Sequence, residues 1–169
     1  ANSRAPTMPE LPEVEVTRRG LEPRLVGQRI GPVEIREARL RWRIPATVRA
    51  LSGRTVRAVK RRGKYLLVDC GDGHLIVHLG MSGSLRLVEP GTTAGKHDHV
   101  DLTIGARVLR LRDPRRFGAM LWTADPPAEH PLLRHLGVEP LSRALDAKHL
   151  HALARPSRLA VKTFLMDGR

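Results

Sequence analysis

The sequence contains one cysteine and only five aromatic residues, two Trp, two Phe and one Tyr, among 169. A single cysteine excludes a disulfide within the chain and cannot build a structural zinc site. Cys70, in LLVDC among apolar neighbours, reads as a half-buried strand residue. No apolar run approaches the ~18 residues that span a bilayer, and the start of the chain lacks an apolar signal-type stretch, so the expected location is the cytoplasm. Acid is scarce as well: 17 Asp and Glu stand against 30 Lys and Arg, for a formal charge of +13. Such an excess makes a polyanion the natural partner, a basic protein without one being the plainer alternative. Arg outnumbers Lys 25 to 5, which supplies many planar, bidentate phosphate donors.

The chain opens with ANSRAPT, which shows neither periodicity nor a cap and reads as a leader or tag ahead of Met8. MPELPEVE follows. If Met8 is an initiator, its removal leaves Pro9 first, a secondary amine beside the Glu10 carboxylate; otherwise the stretch is an ordinary Pro-Glu helix start. PEVEVTRRGLEPRLVG has helical spacing, with Pro12 in the first turn, Val14, Leu21 and Leu25 on one face and Gly27 at its end. From Ile30 short β-branched runs take over: GPVEIREARLRWRI, GRTVRAVKRRGKYLLVDC, HLIVHLGMSGSLRLVEP, HDHVDLTIG, RVLRLRDP and RFGAMLWT. GDG at 71–73 signals a tight hairpin, PGTTAGKHD is the most flexible-looking loop, and the set implies an antiparallel sandwich or barrel. After Trp122 the turn-rich TADPPAEHP leads to LDAKHLHALAR and SRLAVKTFLMD, two helical patterns with Asp146 and Ser157 near their starts. Two such helices cannot bury an apolar face by themselves, so they read as the start of a truncated helical domain.

Other stretches carry candidate chemistry. In RRGKYLLV, Lys64 follows Arg61 and Arg62 into an apolar strand, where like charge and partial burial would favour its neutral form; a snorkelling edge-strand lysine is the alternative. HLGMSGSLR places Met81 between Gly80 and Gly83, in a turn that could project it, or it fills the core. His97 and His99 in KHDHVDL would share one side of a strand, but no further ligands accompany them, and a phosphate contact from His97 is the better use. RLRDPRRFGAMLW starts a turn at Asp113-Pro114 and then presents Arg115, Arg116 and Phe117. Two guanidiniums and an aromatic in one turn suit entry into a duplex: Arg for phosphate or an orphaned base, Phe as a wedge, unless Phe117 is core.

In this order, MPELPEVE, RRGKYLL, HLGMSGSLR, KHDHVDL, DPRRFGA, HLGVEPLS and AVKTFLMD resemble the N-terminal part of the bacterial formamidopyrimidine-DNA glycosylase family. The resemblance implies a base-excision repair DNA glycosylase and apurinic/apyrimidinic lyase that removes oxidised purines from double-stranded DNA. It implies Pro9 as nucleophile at C1′, Glu10 as the group protonating the sugar ring oxygen or relaying protons, and Lys64 as the acid for β-elimination. Met81, Arg115 and Phe117 would fill the void left by the flipped base, with Arg115 on the orphaned cytosine. His97, Arg116 and Arg158 would serve DNA binding.

The family continues into a helix-two turn-helix region and a zinc finger holding Zn2+, both missing from this sequence, so no cofactor is expected in this chain and the piece is expected to be impaired. As written, eight residues precede Pro9, whose nitrogen is then an amide. The expected fold is mainly β with α: an N-terminal helix plus a two-sheet antiparallel β-sandwich, then the first helices of a truncated all-α domain. The expected division is 1–8 leader and initiator, 9–140 catalytic sandwich, 141–169 helical start. A monomer is expected. The competing assignments are an endonuclease VIII-like enzyme for oxidised pyrimidines, against which the Met81, Arg115 and Phe117 set argues, and a non-catalytic DNA-binding module.

Overall fold

The computed structural model describes residues 9–166, so the leader and initiator expected at 1–8, and the Asp that closes AVKTFLMD, lie outside the described residues. The chain divides after Pro127 into two compact units.

In the first unit, α1 spans Leu11–Leu25. Its start is closed by the Glu10 N–H, which donates to the Glu13 carboxylate at 3.0 Å, and Pro12 sits in the first turn, where its missing N–H goes unused. Val14, Leu21 and Leu25 bury one face, and Gly27 follows in the left-handed region at φ +82, where a Cβ would be strained.

The strands are β1 Ile30–Ile35, β2 Ala58–Arg62, β3 Tyr65–Asp69, β4 His74–His78, β5 Ser84–Val88, β6 Asp98–Ile104, β7 Arg107–Arg112 and β8 Ala119–Thr123. They form two four-stranded antiparallel sheets, ordered β1-β6-β7-β5 and β2-β3-β4-β8. The GDG hairpin is as expected, with Asp69 paired to His74 across it and its side chain accepting the Gly71 N–H at 2.8 Å. One apolar core joins the sheets to the helix: Val100, Leu102, Leu109 and Leu111 from the first sheet, Leu66, Val68, Leu75 and Val77 from the second, and the three residues of α1. Each such side chain is worth about 1.5–3 kcal/mol when taken fully out of water. The middle residues of β3 and β4 are buried in succession rather than alternately, as befits central strands covered on both faces.

Several expectations for the first unit need correction. ARLRWRI is not strand: after β1 the chain folds on itself, Leu40 and Ile44 N–H both donating to the Ala38 carbonyl, and a short 3-10 helix at Ala46–Leu51 follows Pro45. RRGKYLLV is a hairpin, not one strand. Arg62 pairs with Tyr65, and Gly63 and Lys64 make the turn. PGTTAGKHD is tied down, because the buried Arg110 guanidinium donates to the Thr92 and Thr93 carbonyls at 2.8 and 3.2 Å. His97 and His99 do not share a side: His97 precedes β6, a register shift lies between Asp98 and Val100, and His99 is fully buried.

The second unit contains α2 at Ala147–Ala154 and α3 at Val161–Leu165. Asp146 caps α2 as expected, accepting the His149 N–H at 2.7 Å. Ser157 does not start α3; it accepts the Leu159 N–H at 3.3 Å in a preceding turn, and the N-cap is Ala160. Residues 128–140, placed with the sandwich from sequence, fall with this unit, where Val138, Pro140 and Leu145 line a hollow with His149, Leu153 and Phe164.

Candidate active site

Pro9 and Glu10 stand directly before α1, so whatever seats the helix positions them. Three buried apolar side chains do part of this. The rest falls to Glu15, whose carboxylate bridges Arg18 at 2.9 Å, Arg19 at 2.8 Å and, across to β2, Arg61 at 2.9 Å. The Arg18 hydrogen bond, more than those of Arg19 and Arg61, holds the Glu15 carboxyl at about 2, well below the ordinary 4.5. This web fastens the helix to the hairpin that carries Lys64 at its tip.

There the Lys64 ammonium ion-pairs with Glu10 Oε2, both side chains about two-fifths exposed. Lys64 thus sits in the turn ahead of Tyr65 and not inside the apolar strand where the sequence placed it. Lys64 is in an open turn with a carboxylate at its side, and Arg61 is engaged by Glu15.

Beside this pair lies a hollow of about 670 Å³, lined by Pro9, Lys64, His78, Gly80, Met81 and Phe117, together with Arg116 and the 39–41 segment. His78 Nδ1 accepts the Gly80 N–H at 3.1 Å, which leaves the proton on Nε2 when the ring is neutral. Burial, then the Lys64 and Arg41 charges, depress its pKa below the ordinary imidazole value. Sequence reading passed over His78, whose only signal was its place at the end of HLIVH.

Met81 and Phe117 reach the hollow from two different loops and are 36% and 40% exposed, which excludes a core role for either. The Arg115 guanidinium lies 4.9 Å from the Phe117 ring centroid, a cation–π approach. The loops touch through backbone. Gly80 is at φ +64, and a Cβ there would lie 2.5 Å from the Phe117 carbonyl carbon.

Arg116 is the one non-glycine residue at positive φ among the described residues, at +59. Its carbonyl accepts the Arg41 N–H at 2.7 Å and its guanidinium is 3.2 Å from Glu37 Oε2. Asp113, read from sequence only as the start of a turn, is fully buried at the root of this loop.

The structure thus brings together Pro9, Glu10, Lys64, Met81, Arg115, Arg116 and Phe117 in one region of the first unit. His97 lies at the base of the 90–98 loop, outside the lining of the hollow, and its carbonyl accepts the Asp113 N–H at 3.0 Å. Arg158 is exposed in the second unit. Among the described residues no group of three or more His, Cys, Asp or Glu could hold a metal ion, and no helix is long and apolar enough to cross a membrane. The arrangement can offer an amine if the Pro9 nitrogen is free, a carboxylate and an ammonium in contact, and, lining or next to the same hollow, exposed apolar, aromatic and guanidinium groups.

Known proteins resemble this chain in sequence and in fold. The family model described as the formamidopyrimidine-DNA glycosylase N-terminal domain matches residues 8–120. The formamidopyrimidine-DNA glycosylase of Methylococcus capsulatus is 59% identical over 164 residues, which cover 96% of this chain and 60% of that protein. That of Stutzerimonas stutzeri is 56% identical over 163 residues, 95% of this chain and 60% of that protein. The chain therefore spans about 60% of the length of these relatives. Among solved structures, the Lactococcus lactis enzyme bound non-covalently to DNA containing an AP site superposes with a TM-score of 0.85 at 34% identity, over 95% of this chain and 63% of that one. The Thermus thermophilus protein gives 0.80 at 36% identity, over 95% of this chain and 58% of that one.

Proposed function

Because the chain belongs to the formamidopyrimidine-DNA glycosylase family, we propose that it is the N-terminal part of a base-excision repair enzyme that removes oxidised purines, 8-oxoguanine and formamidopyrimidines, from double-stranded DNA. The observation that carries this reading is the convergence of Pro9, the Glu10–Lys64 pair and the Met81 and Phe117 side chains on one hollow.

In the proposed reaction the Pro9 nitrogen, freed as the first residue, adds its lone pair to C1′ of the damaged nucleoside. The bond from C1′ to the base breaks, and the base leaves with a proton. Glu10 protonates the sugar ring oxygen, the ring opens, and the nitrogen is left as an iminium ion. With that electron sink in place, the Glu10 carboxylate left by ring opening takes a C2′ proton, and the freed electron pair expels the 3′ phosphate, which receives a proton from Lys64, a phosphate contact besides.

The Glu10–Lys64 contact supports this division of labour, since a carboxylate and an ammonium within reach of each other can exchange a proton between steps. On the opposite rim, Met81, Arg115 and Phe117 occupy the space of the extruded base, Arg115 pairing with the orphaned cytosine. His97, Arg116 and Arg158 hold the DNA backbone, helped by the +13 charge. Zinc is assigned to the length of the relatives that this chain does not span, and none of these steps draws on it. The whole enzyme acts as a monomer in the cytoplasm.

Borohydride trapping tests the reading. The protein extended to the full length of its relatives and beginning at Pro9 is expected to form a covalent adduct on 8-oxoguanine duplex. No adduct, with the duplex nonetheless bound, would leave a DNA-binding module without the chemistry.

A further inference from the structure

We propose that Asp113 and Ser82 are positioning residues that lock the Met81 loop to the Arg115–Phe117 loop, so that the three side chains enter the duplex as one rigid unit. This rests on the proposed function, in which those side chains fill the void of an extruded base.

Asp113 is 0% exposed, and among the described residues no cation pairs with its carboxylate, in contrast to the buried Asp98, which Arg110 and Arg112 approach. A buried carboxylate is costly unless its oxygens are satisfied. Here both are, and by donors from the two loops. Oδ1 accepts the Ser82 hydroxyl at 2.8 Å, and Oδ2 accepts the Gly118 N–H at 2.8 Å. The Ser82 oxygen in turn accepts the Arg115 N–H at 3.1 Å, closing a ring of contacts across the loops.

The backbone of Asp113 is pinned as well. Its carbonyl accepts the buried His99 Nε2–H at 2.7 Å, which anchors the clamp in β6. Each inserting side chain is therefore on, or next to, a residue of the clamp: Met81 beside Ser82, Arg115 bonded to it, and Phe117 beside Gly118. Binding that must place three groups between bases loses less conformational freedom when they are already fixed relative to one another.

The variants are made at Ser82, which is partly exposed, rather than at fully buried Asp113. Ser82→Ala removes the hydroxyl and Ser82→Thr keeps it. In the full-length protein beginning at Pro9, amide exchange of the free protein is expected to accelerate at Arg115 in S82A and to stay near wild type in S82T. On duplex containing a stable abasic analogue, the preference for cytosine over adenine opposite the site is expected to fall about three- to tenfold in S82A, the factor carried by one hydrogen bond, and to be restored in S82T.

A preference within twofold of wild type in S82A, or an equal loss in S82A and S82T, overturns the clamp while leaving the proposed function standing. A wild-type protein that protects Arg115 yet shows no opposite-base preference overturns the insertion reading itself, and the clamp's purpose with it.

Discussion

The two rims of the hollow are built by opposite means. The rim with Pro9, Glu10 and Lys64 sits on regular structure, a helix start and a two-residue hairpin turn, joined by paired charged side chains, Glu15 with Arg61 beneath and Glu10 with Lys64 in the open. The facing rim, with Met81, Arg115 and Phe117, sits on two loops that regular structure does not hold, joined instead by one buried carboxylate and by backbone contact at Gly80. Groups that move protons need fixed distances and tolerate water. Groups that part a base stack must stay exposed, so their rigidity has to come from beneath. The first rim is accordingly separable from the second by substitution.

The largest separation is expected at the Pro9 nitrogen. Acylating it, or leaving one residue ahead of it, removes the lone pair without touching either loop. Borohydride adduct should disappear, a drop of about 1,000-fold or more in trapping rate, while affinity for lesion duplex stays within about threefold of the free-amine protein, since no binding contact is lost. Loss of affinity of the same size as loss of trapping would show that the two rims do not act separately. With the amine free, trapping should rise with pH as the nitrogen loses its proton and exposes its lone pair.

Next in size is Glu15, which holds the first rim together from outside the hollow. Glu15→Gln removes the carboxylate that joins Arg18 and Arg19 to Arg61, whose side chain is 5% exposed, and should cost about 3 kcal/mol in urea unfolding. The pH dependence follows from the depressed carboxyl. Its folded-state value of about 2 lies below the unfolded value near 4.5, so its stabilisation is complete above pH 4.5 and is lost as the pH falls toward 2. The wild-type protein should lose stability more steeply than E15Q over that window.

The same contrast explains what could be read from sequence. Pro9, Glu10 and Lys64 fall in short motifs whose chemistry is local, and the GDG turn declares its hairpin by residue type alone. The Lys64 turn does not, because RRGK holds only one residue suited to a turn, and the apolar run behind it reads as a continuing strand. Asp113 and Ser82 are 31 residues apart and Ser82 and Arg115 are 33 apart, so nothing in either segment announces the other. His99 and Arg110 were likewise invisible as anchors, since burial of a polar side chain is decided by strands that approach it from elsewhere. The start of α3 was misjudged for the reverse reason: Ser157 is a good cap locally, but the chain uses it to close a turn.

On the second rim, Phe117→Ala removes an exposed ring that packs no core. Affinity for lesion duplex should fall by about 2 kcal/mol, roughly thirtyfold, the range of one lost base–aromatic contact, with an unfolding midpoint unchanged. At saturating DNA the trapping rate should remain within a few-fold of wild type. A large fall in trapping with unaltered affinity would place Phe117 in the chemistry and break the contrast.

The smallest effect is expected at Arg116, which lines the hollow and whose carbonyl is bonded to the Arg41 N–H. Its φ of +59 is unfavourable for any residue with a Cβ other than Asn or Asp, and its ion pair with Glu37 is between a side chain 44% exposed and one 17% exposed, which limits its worth. Arg116→Gly should therefore raise stability by about 1 kcal/mol in urea unfolding, relieving the strain at the small cost of that pair. If stability rises while affinity for lesion duplex drops, the strained arginine is kept for DNA rather than for the fold. If stability falls, the Glu37 pair outweighs the strain, and this corner of the hollow is held by charge in the manner of the first rim.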